Sequence, residues 1–455
     1  MTNGEETQNK SFLESYFKLS ENKTNPRTEI VAGITTFITM AYIIFVNPSI
    51  LKLTGMDANA VFVATCIAAA VGTIIMALYA NLPFAQAPGM GLNAFFTYTV
   101  CLTLHYTWQQ ALAAVFISGV LFIIITLTSI REKIVDALPQ TLKFAISGGI
   151  GLFIALIGLK NGGIIVANEA TLVGFGKLIE PSATLTLIGI VITAILMAKK
   201  VKGSILIGIL VTTVIGIPLK ITHPVPISQL VGLPPSIAPT FFKMDFGGLL
   251  GLGKAGVVGA IVSVLMVVIT ICLVDLFDTL GTLVGTAQKA NMVDENGRVK
   301  NMPKALICDA VATTVGSIFG TSTVVTYVES TAGVAEGGRT GLTSLVVGVL
   351  FLFALFFSGL VGMVPAQATA PALVIVGVLM LGSIIKINFE DFTEAFPAFL
   401  TIVIMPFTYS IANGIAAGII SYPIVKLVTG KGKKVHPLIY ILAVIFIIRF
   451  LILPE

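Results

Sequence analysis

The sequence predicts an all-α polytopic membrane protein of fourteen transmembrane segments. They form two inverted 7-segment repeats, with segments three and ten broken by short extended stretches. Three observations carry this prediction. First, 56% of the 455 residues are hydrophobic and only 11% are charged, and the mean hydropathy is +1.00. A soluble domain carries about 25% charged residues, so the chain lacks the polar surface that two or three soluble domains would need. Second, apolar runs of spanning length recur in two sets of seven. Third, the Lys and Arg residues gather in short loops at alternate ends of those runs.

The chain starts with a polar stretch, MTNGEETQNKSFLESYFKLSENKTNPRTE, with no apolar core before a small-residue cleavage site. It reads as a cytosolic tail and not as a signal peptide. FLESYFKL within it fits either a short interfacial helix or a solvated tail. A bilayer core takes roughly twenty apolar residues per helix. The first seven runs lie near 29–48, 60–80, 84–104, 109–130, 143–160, 182–199 and 203–220. A Pro-rich loop follows, HPVPISQLVGLPPSIAPTFFKMDF. The second seven lie near 256–285, 303–319, 321–338, 341–364, 369–386, 394–410 and 412–428. A last apolar run, 437–453, contains Arg449 and fits either an interfacial helix or a further pass.

The basic residues test this count. Lys18, Lys23 and Arg27 precede segment one; Arg131 and Lys133 follow segment four; Lys199, Lys200 and Lys202 follow segment six. Lys289, Arg298, Lys300 and Lys304 follow segment eight, Arg339 segment ten, and Lys431, Lys433 and Lys434 segment fourteen. All lie on one side if the N-terminus is cytoplasmic, as the positive-inside rule requires. An odd number of spans per half turns the second half over, the inverted repeat of secondary transporters.

Segment three reads NLPFAQAPGMGLNAFFTYTVCLTL. Pro88 disfavours a helical Ala87 and suits a helix's first position. Residues 82–87 are therefore expected to be extended, with a helix from Pro88 or Gly89. Leu92 to Leu104 would then give a helix of about 20 Å, short of the ~30 Å core. Segment ten contains TSTVVTYV, dense in β-branched residues and expected to be extended. A short helix would start at 329–331 and end by Gly337–Gly338. Broken helices at matching places in two repeats point to a transporter's binding site, because their ends offer free N–H groups at the midplane.

Segment eight carries VDLFDTLGT after about twenty uncharged residues. Asp275, Asp278, Thr279, Thr282 and Thr286 recur at three- and four-residue steps, which places Asp275, Asp278 and Thr282 along one stripe. A carboxylate facing lipid costs several kcal/mol, so the stripe faces protein or water. Glu329 sits where the extended part of segment ten meets its helix, and Asn93 one turn into the helix of segment three. The substrate-binding candidates are thus Asp275, Asp278, Thr279, Asn93 and Glu329. Asp275 and Asp278 also fit carboxylates capping a neighbouring broken helix, and Asn93 fits a helix–helix hydrogen bond. Asp309, near the start of segment nine, is expected at an edge. Glu336 and Arg339 are expected to form a solvated or paired cap. His105, His223 and His436 all lie in loops or at segment ends, so any coupled proton rides on Asp275, Asp278 or Glu329. Cys66, Cys101, Cys272 and Cys308 form no CxxC pair and read as apolar fillers. No cofactor or metal is expected, and a net charge of +5 spread over short loops does not suggest nucleic acid.

Four blocks, APGMGLNAFF (87–96), VDLFDTLGTLVG (274–285), GTSTVVTYVESTAGVAEGGRTG (320–341) and MPFTYSIANGIAAG (405–418), together resemble the nucleobase:cation symporter-2 superfamily. They are most similar to its AzgA-like branch of bacterial guanine/hypoxanthine and adenine permeases. The resemblance implies proton symport of purine nucleobases across the cytoplasmic membrane by an elevator-like motion, by proteins that are often homodimers. It divides the chain into a cytoplasmic tail (1–28), core segments 1–4 (29–130), gate segments 5–7 (131–220) and an extracellular loop (221–255). Core segments 8–11 (256–364), gate segments 12–14 (365–428) and a cytoplasmic loop with an extra apolar segment (429–455) follow. It makes Asp275 and Glu329 the main purine-binding carboxylates, with Asn93 and Asp278 supporting affinity and coupling. Uracil/xanthine relatives carry a histidine where this chain has Thr279, which argues against uracil or xanthine and excludes coupling through that histidine.

The chemistry of the acids agrees. Guanine and hypoxanthine present N1–H, guanine adds a 2-amino group, and adenine offers a 6-amino group, all donors to a carboxylate. Phe84, Phe95 and Tyr327 fit either stacking on the base or ordinary packing. An anion transporter of the same architecture should lack acids in its cavity. An intramembrane aspartyl protease needs two Asp from different helices, whereas Asp275 and Asp278 share one. A channel would not need paired broken helices and buried acids. The sequence therefore reads as a transporter and not an enzyme.

Overall fold

The computed structural model describes residues 12–128, 137–226, 230–250, 256–289, 292, 299 and 301–452. The basic residues Arg131, Lys133, Arg298 and Lys300 lie outside this set. A short helix, α1 (Phe12–Phe17), packs Phe17 against Leu342, and the Tyr16 hydroxyl donates to the Leu78 carbonyl (3.0 Å). The lead-in segment is thus docked on the body. The first half continues with α2 (Pro26–Met40), α3 (Ile43–Leu51), α4 (Ala58–Ile75), β1 (Gln86–Pro88), α5 (Met90–Ala94) and α6 (Trp108–Leu127). Then come α7 (Gln140–Asn161), a surface hairpin β2 (Ile165–Asn168) and β3 (Leu172–Phe175), α8 (Pro181–Ala198), α9 (Ser204–Ile215) and the one-turn α10 (Phe246–Leu249). The second half holds α11 (Gly256–Lys289), α12 (Met302–Phe319), β4 (Val324–Thr326), α13 (Ser330–Ala335), α14 (Gly341–Ala354) and α15 (Ser358–Met363). It ends with α16 (Ala366–Leu381), α17 (Phe392–Phe407), α18 (Ile411–Val428) and α19 (Pro437–Ile452).

Each predicted run between 29 and 428 is occupied by helix, or, for the third and tenth, by a strand and a short helix. Among the described residues nine helical stretches are long and apolar enough to cross a membrane, and four shorter apolar helices accompany them. The chain is a multi-pass membrane protein. Local chemistry sets the ends of its helices. Asn25 accepts from the Thr28 N–H with Pro26 at the first position of α2, and Asp57 accepts from the Ala60 N–H at α4. Thr107 and Gln110 form a reciprocal capping box at α6. Gly320 ends α12 at φ +95°, and a Cβ there would meet Thr240 Cβ at 2.3 Å, so only glycine fits.

The broken segments meet at the centre. β1 and β4 pair antiparallel in the register Gln86↔Thr326, Ala87↔Val325 and Pro88↔Val324. The ribbon is lengthened by Gly89 N–H to Thr323 O and Tyr327 N–H to Ala85 O, both 2.9 Å. In an antiparallel pair the helix after β1 leaves from one end of the ribbon and the helix after β4 from the other. The N-termini of α5 and α13 therefore stand at opposite ends of the ribbon. The free edges are satisfied in matching ways. Thr73 of α4 donates to Gln86 O (3.0 Å) and accepts from Gln86 N–H (2.9 Å), while Thr313 of α12 donates to Val324 O (2.9 Å). The helix preceding each strand thus supplies a threonine to it, the signature of an inverted repeat. This is how extended backbone survives deep inside the protein. Beyond α5 the chain widens into π-helical turns over Phe95–Thr103, with Leu104 N–H reaching Thr99 O (2.9 Å).

Two sets of helices pack around this ribbon. In one, α2, α3, α4, α6, α11, α12 and α14 pack on one another; in the other, α7 lies against α16, α17 and α18, with α8 and α9 outside α16. Glycines bring α7 and α16 together. A Cβ on Gly377 would meet Gly151 O at 2.5 Å and Ala155 Cβ at 2.7 Å, and one on Gly151 would meet Gly377 O at 2.8 Å. Such close approach is how helices associate in lipid, where apolar burial gives no drive. Gly377→Leu is therefore expected to force the pair apart, at about 1–3 kcal/mol or more. Its signature is a melting temperature several degrees lower for the detergent-purified protein. A variant that melts with wild type shows that the contact is slack.

Candidate functional site

The sequence candidates come together around the ribbon. Asn93, in α5, is fully buried, and the Ser322 hydroxyl donates to its Oδ1. One residue of each broken segment is thereby tied to the other. Asn93 Nδ2 points to Met90 Sδ (4.0 Å). The Tyr327 hydroxyl donates to Pro88 O (2.6 Å), and the Ala85 N–H donates to Ser330 Oγ (3.0 Å), two further ties between the segments. Beyond them, Asn47 Nδ2 of α3 donates to Thr65 Oγ1 (2.7 Å) and Thr321 Oγ1 (2.9 Å).

Glu329 stands at the residue before α13, half-buried, with φ −59°. The Tyr42 hydroxyl donates to its Oε1 (2.7 Å). Tyr42 is buried at the break between α2 and α3, and that break lets the ring project toward the head of α13. One carboxylate oxygen is thus held in place at the head of α13, where the Ser330, Thr331 and Ala332 N–H groups already bond the Tyr327, Val328 and Glu329 carbonyls (3.2, 2.9 and 2.9 Å).

The acids of α11 fall into two layers. Asp278 is half-buried, and its nearest charged neighbours are Asp309 and Glu329. Asp275 and Thr279 are fully buried. Thr279 Oγ1 lies 2.8 Å from Asp309 Oδ1 and 3.3 Å from Asp275 Oδ1. The two carboxyl oxygens are then within about 6 Å of each other, where two negative charges repel by roughly 3 kcal/mol at an effective dielectric constant near 20.

This corrects the reading of Asp309. It is not a solvated edge residue. It sits in the second turn of α12 with 0% exposure and takes the Thr279 hydroxyl. The physical reason is packing: Thr279 of α11 lies against this part of α12, and α4 and α6 pack on the same helix. Tyr42, Asn47 and Ser322 were also missed. A tyrosine and an Asn-Pro pair inside the apolar first run were the available signals.

Other candidates fall where expected. Phe84 and Phe95 are wholly packed in the core, and Tyr327 is 5% exposed with its ring 6.5 Å from that of Tyr42. Arg339 donates to the Val334 and Gly338 carbonyls (both 2.7 Å) and caps the end of α13. Glu336 pairs with Lys202 (2.5 Å), which joins the α8–α9 loop to the same helix end. The three histidines lie outside the helices. The four cysteines are free thiols; Cys66, Cys101 and Cys308 are buried and Cys272 is half-buried beside the Ser118 hydroxyl (3.1 Å).

Comparison with known proteins agrees with this arrangement. The chain is 44% identical to the adenine permease AdeP of Escherichia coli over 444 residues, 98% of this chain and 97% of the relative. It is 45% identical to the guanine/hypoxanthine permease PbuG of Bacillus subtilis over 452 residues, 97% of this chain and 100% of the relative. Among solved structures, the transmembrane domain of a cyanobacterium bicarbonate transporter, BicA, superposes with a TM-score of 0.63 at 16% identity, over 86% of this chain and 97% of that one. That likeness is one of fold. Residues 27–417 match the profile described as "Permease family". With that profile covering most of the chain and these relatives matched almost end to end, the chain belongs to this permease family, within the nucleobase:cation symporter-2 superfamily.

Proposed function

We propose that this protein imports purine nucleobases (hypoxanthine, guanine or adenine) by proton symport across the cytoplasmic membrane. The observation that carries the reading is Glu329, half-exposed at the head of α13 and facing the acids of α11 beside the paired broken segments. The near full-length relatives named as adenine and guanine/hypoxanthine permeases support it. Glu329 and Asp275 would receive the N–H donors of the base, two from guanine in a fork and fewer from hypoxanthine or adenine. Asn93, Asp278 and Thr279 would support them. The N-terminus of α5 would face the ring nitrogens or O6 with N–H groups.

The N-terminus would be cytoplasmic, on the side where the basic loops gather. The set containing α2–α4, α6, α11, α12 and α14 would be the moving core, and α7–α9 with α16–α18 the gate, paired in a homodimer. The acids weigh against sulfate or bicarbonate as cargo, because a negative site repels an anion. A uracil or xanthine preference is weakened by Thr279. The test is uptake of labelled hypoxanthine, guanine and adenine in permease-deficient cells, with and without a protonophore. At least one purine is expected to accumulate, and the protonophore to abolish that accumulation. Uptake of none overturns the substrate class, and accumulation insensitive to the protonophore overturns proton coupling.

A further inference from the structure

Thr279 has one hydroxyl hydrogen and two carboxyl neighbours. Its Oγ1 is 2.8 Å from Asp309 Oδ1 and 3.3 Å from Asp275 Oδ1, and all three side chains have 0% exposure. A hydroxyl donates once. Both contacts are hydrogen bonds together only when one carboxyl is protonated and donates to Oγ1 while the hydroxyl donates to the other. With both ionised, one contact becomes lone pair against lone pair, between two like charges in a buried site. With one proton on the pair, two arrangements are satisfied, and they interconvert by a shift along a single line. The Asp275 O–H bond breaks as a proton reaches Thr279 Oγ1, and the hydrogen that Thr279 held forms a bond to Asp309. The negative charge moves from Asp309 to Asp275, and nothing is oxidised or reduced.

We propose that Asp309 holds the coupling proton while substrate is bound, and that Thr279 relays it to and from Asp275. The inference rests on the proton-coupled purine reading above and names the machinery within it. Asp275 must be ionised to accept from a purine N–H. A proton parked on Asp309 permits this without two buried negative charges, so proton and purine each favour the other's binding. Of the other titratable groups in the site, Asp278 and Cys308 interact with Asp309, and Glu329, Tyr42 and Tyr327 interact with Asp278. Asp278 and Glu329, half-exposed, are the members of this group through which the pair reaches water.

The test uses the full chain in proteoliposomes and a labelled purine that the wild type carries. Counterflow exchange needs no net proton movement, whereas accumulation on an imposed pH gradient does. Asp309→Asn keeps a carbonyl acceptor for Thr279 but holds no acidic proton. It is expected to leave counterflow close to wild type, to lower gradient-driven accumulation by at least about tenfold, and to flatten the pH dependence of purine affinity. Thr279→Val should lose accumulation to a similar degree, and Thr279→Ser should restore it. Asp309→Asn accumulating purine with wild-type pH dependence overturns the inference. So does an Asp309→Asn protein that stays folded yet loses counterflow in step with accumulation, which would make Asp309 a structural or binding group. A wild type that exchanges purine but never accumulates it on the gradient overturns the proton-coupled reading itself, and this inference with it. A coupled wild type beside a coupled Asp309→Asn overturns this inference alone.

Discussion

Glu329→Gln is expected to lower purine uptake by about 100-fold or more with the protein still present in the membrane at wild-type level. The carboxylate is expected to accept one or two N–H donors of the base, and hydrogen bonds to a charged group contribute about 1.5–3 kcal/mol each. Each 1.4 kcal/mol is about tenfold in affinity. Glutamine keeps the shape but presents an amide donor where an acceptor is required, so one pairing turns from attraction to clash of donors. The Tyr42 hydroxyl already occupies Oε1 at 2.7 Å, which fixes which oxygen remains for the base. Tyr42→Phe should therefore act in the same direction and more weakly, by releasing the carboxylate without removing it. The measurement is initial uptake rate against purine concentration, with protein level quantified in the same membranes. A loss in apparent affinity supports the site. Wild-type uptake by Glu329→Gln removes Glu329 from it and leaves Asp275 and Asp278 as the candidate carboxylates.

The broken segments were legible because their causes are local. Pro88 restricts Ala87, and β-branched residues fill 323–326, so extended backbone at 86–88 and 324–326 follows from the residues themselves. The pairing of those stretches was not legible, because nothing in either strand names its partner. The outer edges of the pair are held by Thr73 and Thr313, which lie one helix upstream of each strand and read as ordinary threonines in apolar runs. The candidate site shows the same division. Asp275, Asp278 and Glu329 stood out because charge is rare in an apolar segment. Asp309 was misplaced because its burial depends on the helices that pack over it, Thr279 of α11 among them, a tertiary fact. Tyr42 showed only as a tyrosine in an apolar run; its role depends on a helix break beside it and on a carboxylate 287 positions away.

The same limit hid Glu29, and the second large effect is expected there. Glu29 opens segment one and looked like a boundary residue, yet it is fully buried in α2. Its Oε1 accepts from the Arg339 N–H (2.8 Å), and its Oε2 accepts from the Thr340 N–H (3.3 Å), the Thr343 N–H (3.1 Å) and the Thr343 hydroxyl (2.6 Å). These donors stand at the head of α14, where the first N–H groups of a helix have no partner of their own. The Thr340 side chain satisfies only the Leu342 N–H (3.3 Å). Asn81 Oδ1 takes the Gly341 N–H (2.7 Å), and a carboxylate from another helix takes the Arg339, Thr340 and Thr343 donors and meets the positive end of the helix dipole. Because Arg339 caps α13 from the same turn, Glu29 fixes the junction between α13 and α14 and so the position of the half-helix that carries Glu329. Glu29→Ala takes their acceptor from the Arg339 and Thr340 N–H groups and the Thr343 hydroxyl, at about 1–3 kcal/mol each, and leaves a cavity besides, while the Thr343 N–H keeps the Thr340 carbonyl (3.2 Å). The protein should be scarcely detectable in membranes at 37 °C and should melt well below wild type where it is recovered. Glu29→Gln keeps one acceptor oxygen and should fall between the two. A role in folding and not in recognition predicts that the protein recovered at low temperature keeps the wild-type purine affinity. Glu29→Ala protein that melts with wild type would show that water replaces the carboxylate at this junction, and loss of affinity at full stability would move Glu29 into the site.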